Sequence, residues 1–196
     1  LEQAEKMILK LACAVESKCK CSMGHSERVG SLSYELARMT GVDEIEALNI
    51  KKAALLHDIG KVCLGAAKKK TCPDEDAELA VKHPVAGADF LSRISSFKNI
   101  IPAIKSHHER WDGEGIPEGL KGAAIPLGAR IISIADSFDR IASKQPSGVP
   151  SPALEAVRTM KDERSSGQWD SELLSEFVEM LERRNALIED LYPRKL

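Results

Sequence analysis

Residues 43–61 read DEIEALNIKKAALLHDIGK, and the fold turns on them. Asp43 is a candidate N-cap, and Ile45, Leu48, Ala53, Leu55 and Leu56 are the apolar positions of a helix over 43–58. That apolar run ends on His57-Asp58, and Gly60 follows. An imidazole and a carboxylate placed there are carried toward the interior. An unpaired buried carboxylate is expensive, and its usual escapes are a shifted pKa, an ion pair or a metal ion. The same arrangement returns downstream, where Ile131-Ile132-Ser133-Ile134-Ala135 runs into Asp136.

Outward from this stretch the periodicity stays helical. Residues 2–17 carry Met7, Ile8, Leu11, Ala12 and Val15 on one face, and a second helix runs from Gly24–Ser26 to Met39, stopped by Gly41. Pro73 opens a helix with an acidic first turn, Asp74-Glu75-Asp76, which the helix dipole favours. Residues 98–109 form another, and the glycine- and proline-rich stretch 112–126 is a long loop. Helices over 127–143, 151–164 and 170–190 complete the chain. Neither an internal repeat nor a strand-like alternation is visible. The expectation is an all-α fold: one helical domain over 1–196, with a core over about 5–145 and a peripheral C-terminal helical pair over about 151–190.

Composition removes several function classes. A net charge of -2 and 4% aromatic residues leave little with which to bind a nucleic-acid polymer. The N-terminal stretch is broken by Glu2, Glu5, Lys6 and Lys10, unlike a signal peptide, and no apolar run reaches the ~20 residues of a membrane span. Five cysteines in no regular framework point to a reducing, cytoplasmic setting. A zinc site from Cys19, Cys21, Cys63 and Cys72 ranks below ordinary thiols.

The five histidines are His25, His57, His83, His107 and His108. Each alone reads as a satisfied core or surface side chain, and Asp136 and Asp139 could simply pair with Arg130 or Arg140. The joint pattern points further: a His-Asp pair and a second Asp, each after an apolar run, plus a His-His pair. Imidazole with carboxylate suits zinc, iron or manganese. One carboxylate can bridge two cations about 3.5–4 Å apart, the spacing of two-metal hydrolases.

These residues resemble a known family. His57-Asp58-Ile59-Gly60-Lys61 is similar to the signature of the HD phosphohydrolase superfamily, and His107-His108-Glu109-Arg110-Trp111-Asp112-Gly113-Glu114-Gly115-Ile116-Pro117 resembles the second signature of its HD-GYP branch. Gly24 to Val29, Lys82-His83-Pro84 and Ala135 to Asp139 fit the same branch in order and rough spacing. The resemblance implies an HD-type helical bundle that holds two divalent transition metals, iron or manganese. It also implies a phosphodiesterase acting on a cyclic dinucleotide such as cyclic di-GMP, through a hydroxide activated by both metals. Carried over by position, His25, His57, Asp58 and Asp136 would hold one metal, and Asp58, His83, His107 and His108 the other. Lys61 would reach a phosphate oxygen, giving Asp58 and Lys61 the catalytic roles, with Lys61 and Arg110 on the substrate.

The chain departs from the branch at three places. Ile116 replaces the tyrosine that names it, Cys21 stands where members with a third metal place a glutamate, and Gln145 to Gly148 lack the basic residues that grip phosphate. A weakly active or inactive metal-binding signalling module, and a general HD phosphohydrolase on another phosphate ester, are therefore the alternatives. The sequence also leaves open signalling-domain partners, a homodimer, and origin within a longer protein.

Overall fold

Asp43 does cap a helix: its carboxylate accepts the Glu46 N–H at 2.8 Å and starts a helix over Glu44–Leu56. The computed structural model describes residues 7–10, 12, 24–65, 77–145, 151–183 and 192. In chain order its α-helices are α1 (His25–Met39), α2 (Glu44–Leu56), α3 (Ile59–Cys63), α4 (Ala77–Ser92), α5 (Ile101–Lys105), α6 (Leu127–Ser143), α7 (Pro152–Asp162) and α8 (Ser171–Arg183). Short 3₁₀ turns over Ser95–Ile100, Gly122–Ala124 and Glu163–Ser166 join them, and among the described residues there is no strand. Most of the expected first helix lies outside the described residues, as do Pro73 and the acidic turn after it, Lys68 to Lys70, Cys19, Cys21, Cys72, Gly148 and the end of the last helix.

The architecture is a helical bundle. α1 packs on α2 and α6, α3 on α4, α5 on α4 and α6, and α7 along α6. α8 lies against α1 and α6, so the C-terminal pair flanks the bundle and feeds Ala156, Met160, Leu174 and Phe177 into the same core. Phe138 of α6 meets Phe177 edge-on at 5.3 Å and Tyr192 at 5.4 Å. Burying an aromatic or leucine-sized side chain contributes roughly 1.5–3 kcal/mol, so Phe97, Phe138, Phe177, Leu32 and Leu36 are principal supports.

Two elements differ from the sequence reading. On α2 the buried stripe is Ala47, Ile50, Ala53, Ala54 and Leu56, while Ile45 and Leu48 face outward. Small alanines let the neighbouring helices come close, which a count of large apolar residues does not register. The helix expected over 98–109 is a 3₁₀ turn, then α5, then a turn over 106–108. Pro102, without an N–H, fits the first turn of α5, and the chain leaves the helix where Glu109 N bonds Ser106 O at 3.0 Å.

One contact sets the geometry of the interior. A Cβ on Gly60 would lie 2.0 Å from His83 O and 2.7 Å from Gly87 N. Only the lack of a side chain there lets α3 cross α4 backbone to backbone, which brings Asp58 up to His83.

Candidate metal centre

All five histidines and both aspartates singled out above meet in one place. His25 is the first residue of α1, His57 and Asp58 form the turn between α2 and α3, and His83 lies inside α4 just before Pro84. His107 and His108 occupy the turn after α5, and Asp136 lies midway along α6. His57-Asp58 and Asp136 follow apolar runs that carry them inward, and all five histidines are buried or half-buried. Hence the site is deep: His57 and His83 are 0% exposed and His107 is 1% exposed.

The ring orientations are fixed by backbone carbonyls. Nδ1 of His57 lies 2.7 Å from Ala54 O, Nδ1 of His83 2.9 Å from Leu79 O, and Nδ1 of His107 2.7 Å from Ile104 O. A carbonyl can only accept, so each Nδ1 carries the proton and each Nε2 presents a lone pair to the centre. There, Nε2 of His83 and Nε2 of His107 stand 3.2 Å apart. Two lone pairs that close repel unless a cation lies between or beside them. The Nε2 atoms of His57 and His108 and Oδ1 of Asp58 are buried without a hydrogen-bond partner. Buried polar atoms are seldom left unpaired, and a metal ion is one reason for an exception.

Two trios have the spacing to hold an ion: His83, His107 and His108, and His25, His57 and Asp58, each with ligand atoms within 4.8 Å of one another. Asp136 Oδ1 joins the second trio, 3.2 Å from His25 Nε2 and 3.8 Å from His57 Nε2. Asp58 stands between the two, with Oδ1 3.1 Å from His83 Nε2 and Oδ2 3.6 Å from His57 Nε2.

Protonation suits ligation. Burial holds His57 and, more strongly, His107 below the usual histidine range, and neighbouring histidines push His107 down further. Burial likewise lowers His108 to about 4. Burial works against ionisation of Asp58 and Asp136, yet both are pulled well below the usual carboxylate range, Asp58 chiefly by Lys61 and Asp136 chiefly by Arg140. His25 is the exception. Burial would lower it, but hydrogen bonds to Asp136 and Asp139 raise it to about 10.

Lys61 is buried, and its Nζ lies 2.6 Å from Asp58 Oδ2. Arg110 is placed differently. Its Nε and Nη2 bond the Asp112 carboxylate, and Nη2 also donates to Ser166 O at 3.0 Å, so the guanidinium fastens the loop after His108 to the connector before α8.

The sequence reading gave Asp139 no more than an ion pair with Arg130 or Arg140, and gave Glu109, Arg28 and Tyr192 no role. Asp139 accepts from His25 Nδ1 at 2.7 Å and from Arg28 Nε at 2.6 Å, and Tyr192 also donates to it. Asp136 pairs with Arg140 at 3.0 Å, whereas Arg130 pairs with Asp170 at 2.8 Å. Glu109, buried, accepts the Glu118 N–H at 2.7 Å and the Leu120 N–H at 3.0 Å, folding the glycine-rich loop back over the histidine pair. Both lie inside the stretches that carry the resemblance: Asp139 closes the stretch from Ala135, three residues after Asp136, and Glu109 directly follows His107-His108.

A family model described as the HD domain matches residues 10–173. The chain belongs to the HD domain family. Among its relatives is a cyclic di-GMP phosphodiesterase of Thermotoga maritima, 37% identical over 181 residues, covering 87% of this chain and 46% of the relative. A 3'3'-cGAMP-specific phosphodiesterase of Vibrio cholerae is 34% identical, covering 74% of this chain and 28% of the relative. This HD-domain chain thus spans less than half the length of these curated relatives. Among solved structures, an HDG"Y"P protein of Bdellovibrio bacteriovorus superposes with a TM-score of 0.64 at 26% identity, covering 81% of this chain and 51% of that one. A cyclic GMP-AMP specific phosphodiesterase of V. cholerae gives a TM-score of 0.75 at 20% identity, over 95% of this chain and 50% of that one, which speaks to the fold. The family is metal-dependent, in keeping with the two trios.

Proposed function

We propose that this chain is the catalytic domain of a metal-dependent phosphodiesterase of the HD-GYP type, acting on a cyclic dinucleotide such as cyclic di-GMP. The observation that carries this reading is the 3.2 Å approach of His83 Nε2 to His107 Nε2, with the buried Oδ1 of Asp58 3.1 Å from His83 Nε2. Relatives named for cyclic di-GMP and for 3'3'-cGAMP support the substrate class. Two divalent metals, iron or manganese, fit the mixed imidazole–carboxylate donors. In this reading His25, His57, Asp58 and Asp136 hold one, and Asp58, His83, His107 and His108 the other. The chain acts as one domain, in a cytoplasmic setting.

Bound divalent metals supply Lewis acidity, lowering the pKa of a coordinated water and neutralising charge on phosphorus. The chain's own residues do the rest. The carbonyls of Ala54, Leu79 and Ile104 hold three imidazoles in the ligating tautomer, so little reorganisation is needed. Asp58, lying between the two trios, gives each an oxygen. Lys61, one helical turn beyond Asp58, offers a point charge where negative charge builds on the phosphoryl group. Cleaving one ring phosphodiester consumes one water and yields a linear dinucleotide.

The test is to load the protein with manganese or iron, count metals per chain, and follow cyclic di-GMP and 3'3'-cGAMP by chromatography. The expected result is two metals and a linear product. Asp58→Ala should lower occupancy at both positions, and His83→Ala mainly at one. Failure to bind metal defeats the site. Bound metal without turnover of any cyclic dinucleotide favours the signalling module, and turnover of other phosphate esters alone favours the general hydrolase.

A further inference from the structure

We infer that Arg130 is a positioning residue of the metal centre, holding the segment that carries His107 and His108 against the helix that carries Asp136. The inference rests on the phosphodiesterase reading and names a residue behind its site. Arg130 and Asp136 share α6, so they move as one element. The Arg130 side chain reaches three other segments. Nε donates to Ile125 O at 3.1 Å, Nη1 meets Asp170 Oδ2 at 2.8 Å, and the guanidinium stands 5.6 Å from the centre of the Trp111 ring.

Two of these contacts lead to the histidine pair. Trp111 follows His108 by three residues, and Ile125 ends the glycine-rich loop that begins there. Gly122 N–H bonds Trp111 O at 3.0 Å and Ile125 N–H bonds Gly122 O at 3.1 Å, so both ends of the loop meet beside the guanidinium. Within the loop, Glu109 takes the Glu118 and Leu120 N–H groups, and Ile116 N–H bonds His108 O. Loop and histidine pair are thereby fastened into one body. The third contact serves another element. Asp170 Oδ1 accepts the Glu172 and Leu173 N–H groups at 3.1 and 3.3 Å, capping α8.

That body needs a tie to α6 on each side of the histidine pair. Ahead of the pair, α5 packs directly on α6, with Gly128 close against Ala103. Behind it the joint is polar, with a small cavity lined by Glu109, Trp111, Arg130, Ser133 and Trp169 among others. Arg130 spans this joint. A guanidinium is planar with donors in fixed directions, so it can bond a carbonyl, bond a carboxylate and lie over an aromatic ring at once. A lysine ammonium cannot meet all three.

The experiment compares wild type, Arg130→Lys, Trp111→Leu and Asp170→Asn, each loaded with manganese. Arg130→Lys keeps a charge for Asp170 but loses the Nε bond to Ile125 and the planar face over Trp111. Asp170→Asn keeps the α8 cap acceptor and loses the charge. Each variant should melt roughly 2–4 °C below wild type. A competitive chelator titration then reads the two metal-binding steps. Arg130→Lys should weaken one step by about tenfold, the lower end of what losing an outer partner costs. It should be the step that His83→Ala weakens, and Trp111→Leu should weaken the same one. Asp170→Asn should leave both steps unchanged. Equal weakening of both steps by Arg130→Lys, weakening of neither, or the same loss in Asp170→Asn would overturn the inference. Turnover of cyclic di-GMP is followed separately. A step-specific loss in a protein that cleaves no cyclic dinucleotide would keep the role of Arg130 and sink the phosphodiesterase reading.

Discussion

His25 Nδ1 donates to Asp139 across 2.7 Å, whereas His57, His83 and His107 donate theirs to backbone carbonyls. Arg28 and Tyr192 hold Asp139 in turn, so the carboxylate is fixed on three sides. A carboxylate behind an imidazole makes its far nitrogen a better ligand than a neutral carbonyl does, and losing such a partner commonly weakens metal binding about 10–100-fold. Asp139→Asn should therefore weaken one of two binding steps by about tenfold and leave the other nearly unchanged. A competitive chelator titration separates the steps. Equal weakening of both, or of neither, would contradict a role specific to His25.

Asp139 also shows what the sequence could and could not reveal. His57, Asp58, His107, His108 and Asp136 were legible because each follows an apolar run or forms a pair, a pattern that survives without coordinates. Arg28, Asp139 and Tyr192 are far apart in sequence and meet only when α1 and α6 pack and the Tyr192 side chain reaches Asp139. No local periodicity carries that information. Ile45 and Leu48 misled for a related reason: close helix packing at Ala47, Ala53 and Ala54 chose the smaller face of α2. At Ile116 the backbone does the work, its N–H bonding His108 O at 3.2 Å, and that bond needs no tyrosine hydroxyl.

Lys61 carries a prediction in two parts. The family resemblance implied a chemical role, and Lys61 is also buried with its Nζ 2.6 Å from Asp58. In metal-free protein Lys61→Ala should remove a charge-assisted bond worth about 2 kcal/mol. For a chain this size that lowers the melting temperature by roughly 4–8 °C. Metal loading should restore most of the loss, because the ions take over neutralisation of Asp58, while turnover stays down by about tenfold or more. Calorimetry with and without metal, beside the activity assay, checks both parts. Equal destabilisation in the two states would show that Lys61 serves folding alone.

Gly60 should be intolerant of even one methyl group. Its Cβ would meet His83 O at 2.0 Å and Gly87 N at 2.7 Å, and backbone atoms cannot swing aside as a side-chain end can. Gly60→Ala must push α3 away from α4. Overpacking of this sort typically costs 1–3 kcal/mol. The same shift draws Asp58 from His83, so metal affinity should fall along with melting temperature. Gly41→Ala serves as a contrast: a Cβ there meets nothing within 4 Å, and its strain comes only from a positive φ of 78°. If Gly60→Ala melted like wild type with full metal content, the close crossing would not be what sets the site.

The metal-free protein should be most stable near pH 6.5–7 and lose stability on both sides. Folding holds His57 and His107 below the ordinary histidine value of 6.5 through burial, and His108 at about 4 for the same reason. The unfolded chain therefore binds more protons at these positions as pH falls below 6.5. Stability drops through that range and levels for His108 below about 4. His25 acts in the opposite direction. Burial opposes its charge, but Asp136 and Asp139 raise it to about 10, so its contribution is complete below 6.5 and vanishes as pH rises toward 10. Two opposed shifts in one cluster give a maximum between them. Thermal melts of chelator-treated protein from pH 4 to 10 should trace that maximum, and His25→Gln should flatten its alkaline side only. A wild-type profile level from pH 5 to 9 would show that the histidines are not held in these protonation states.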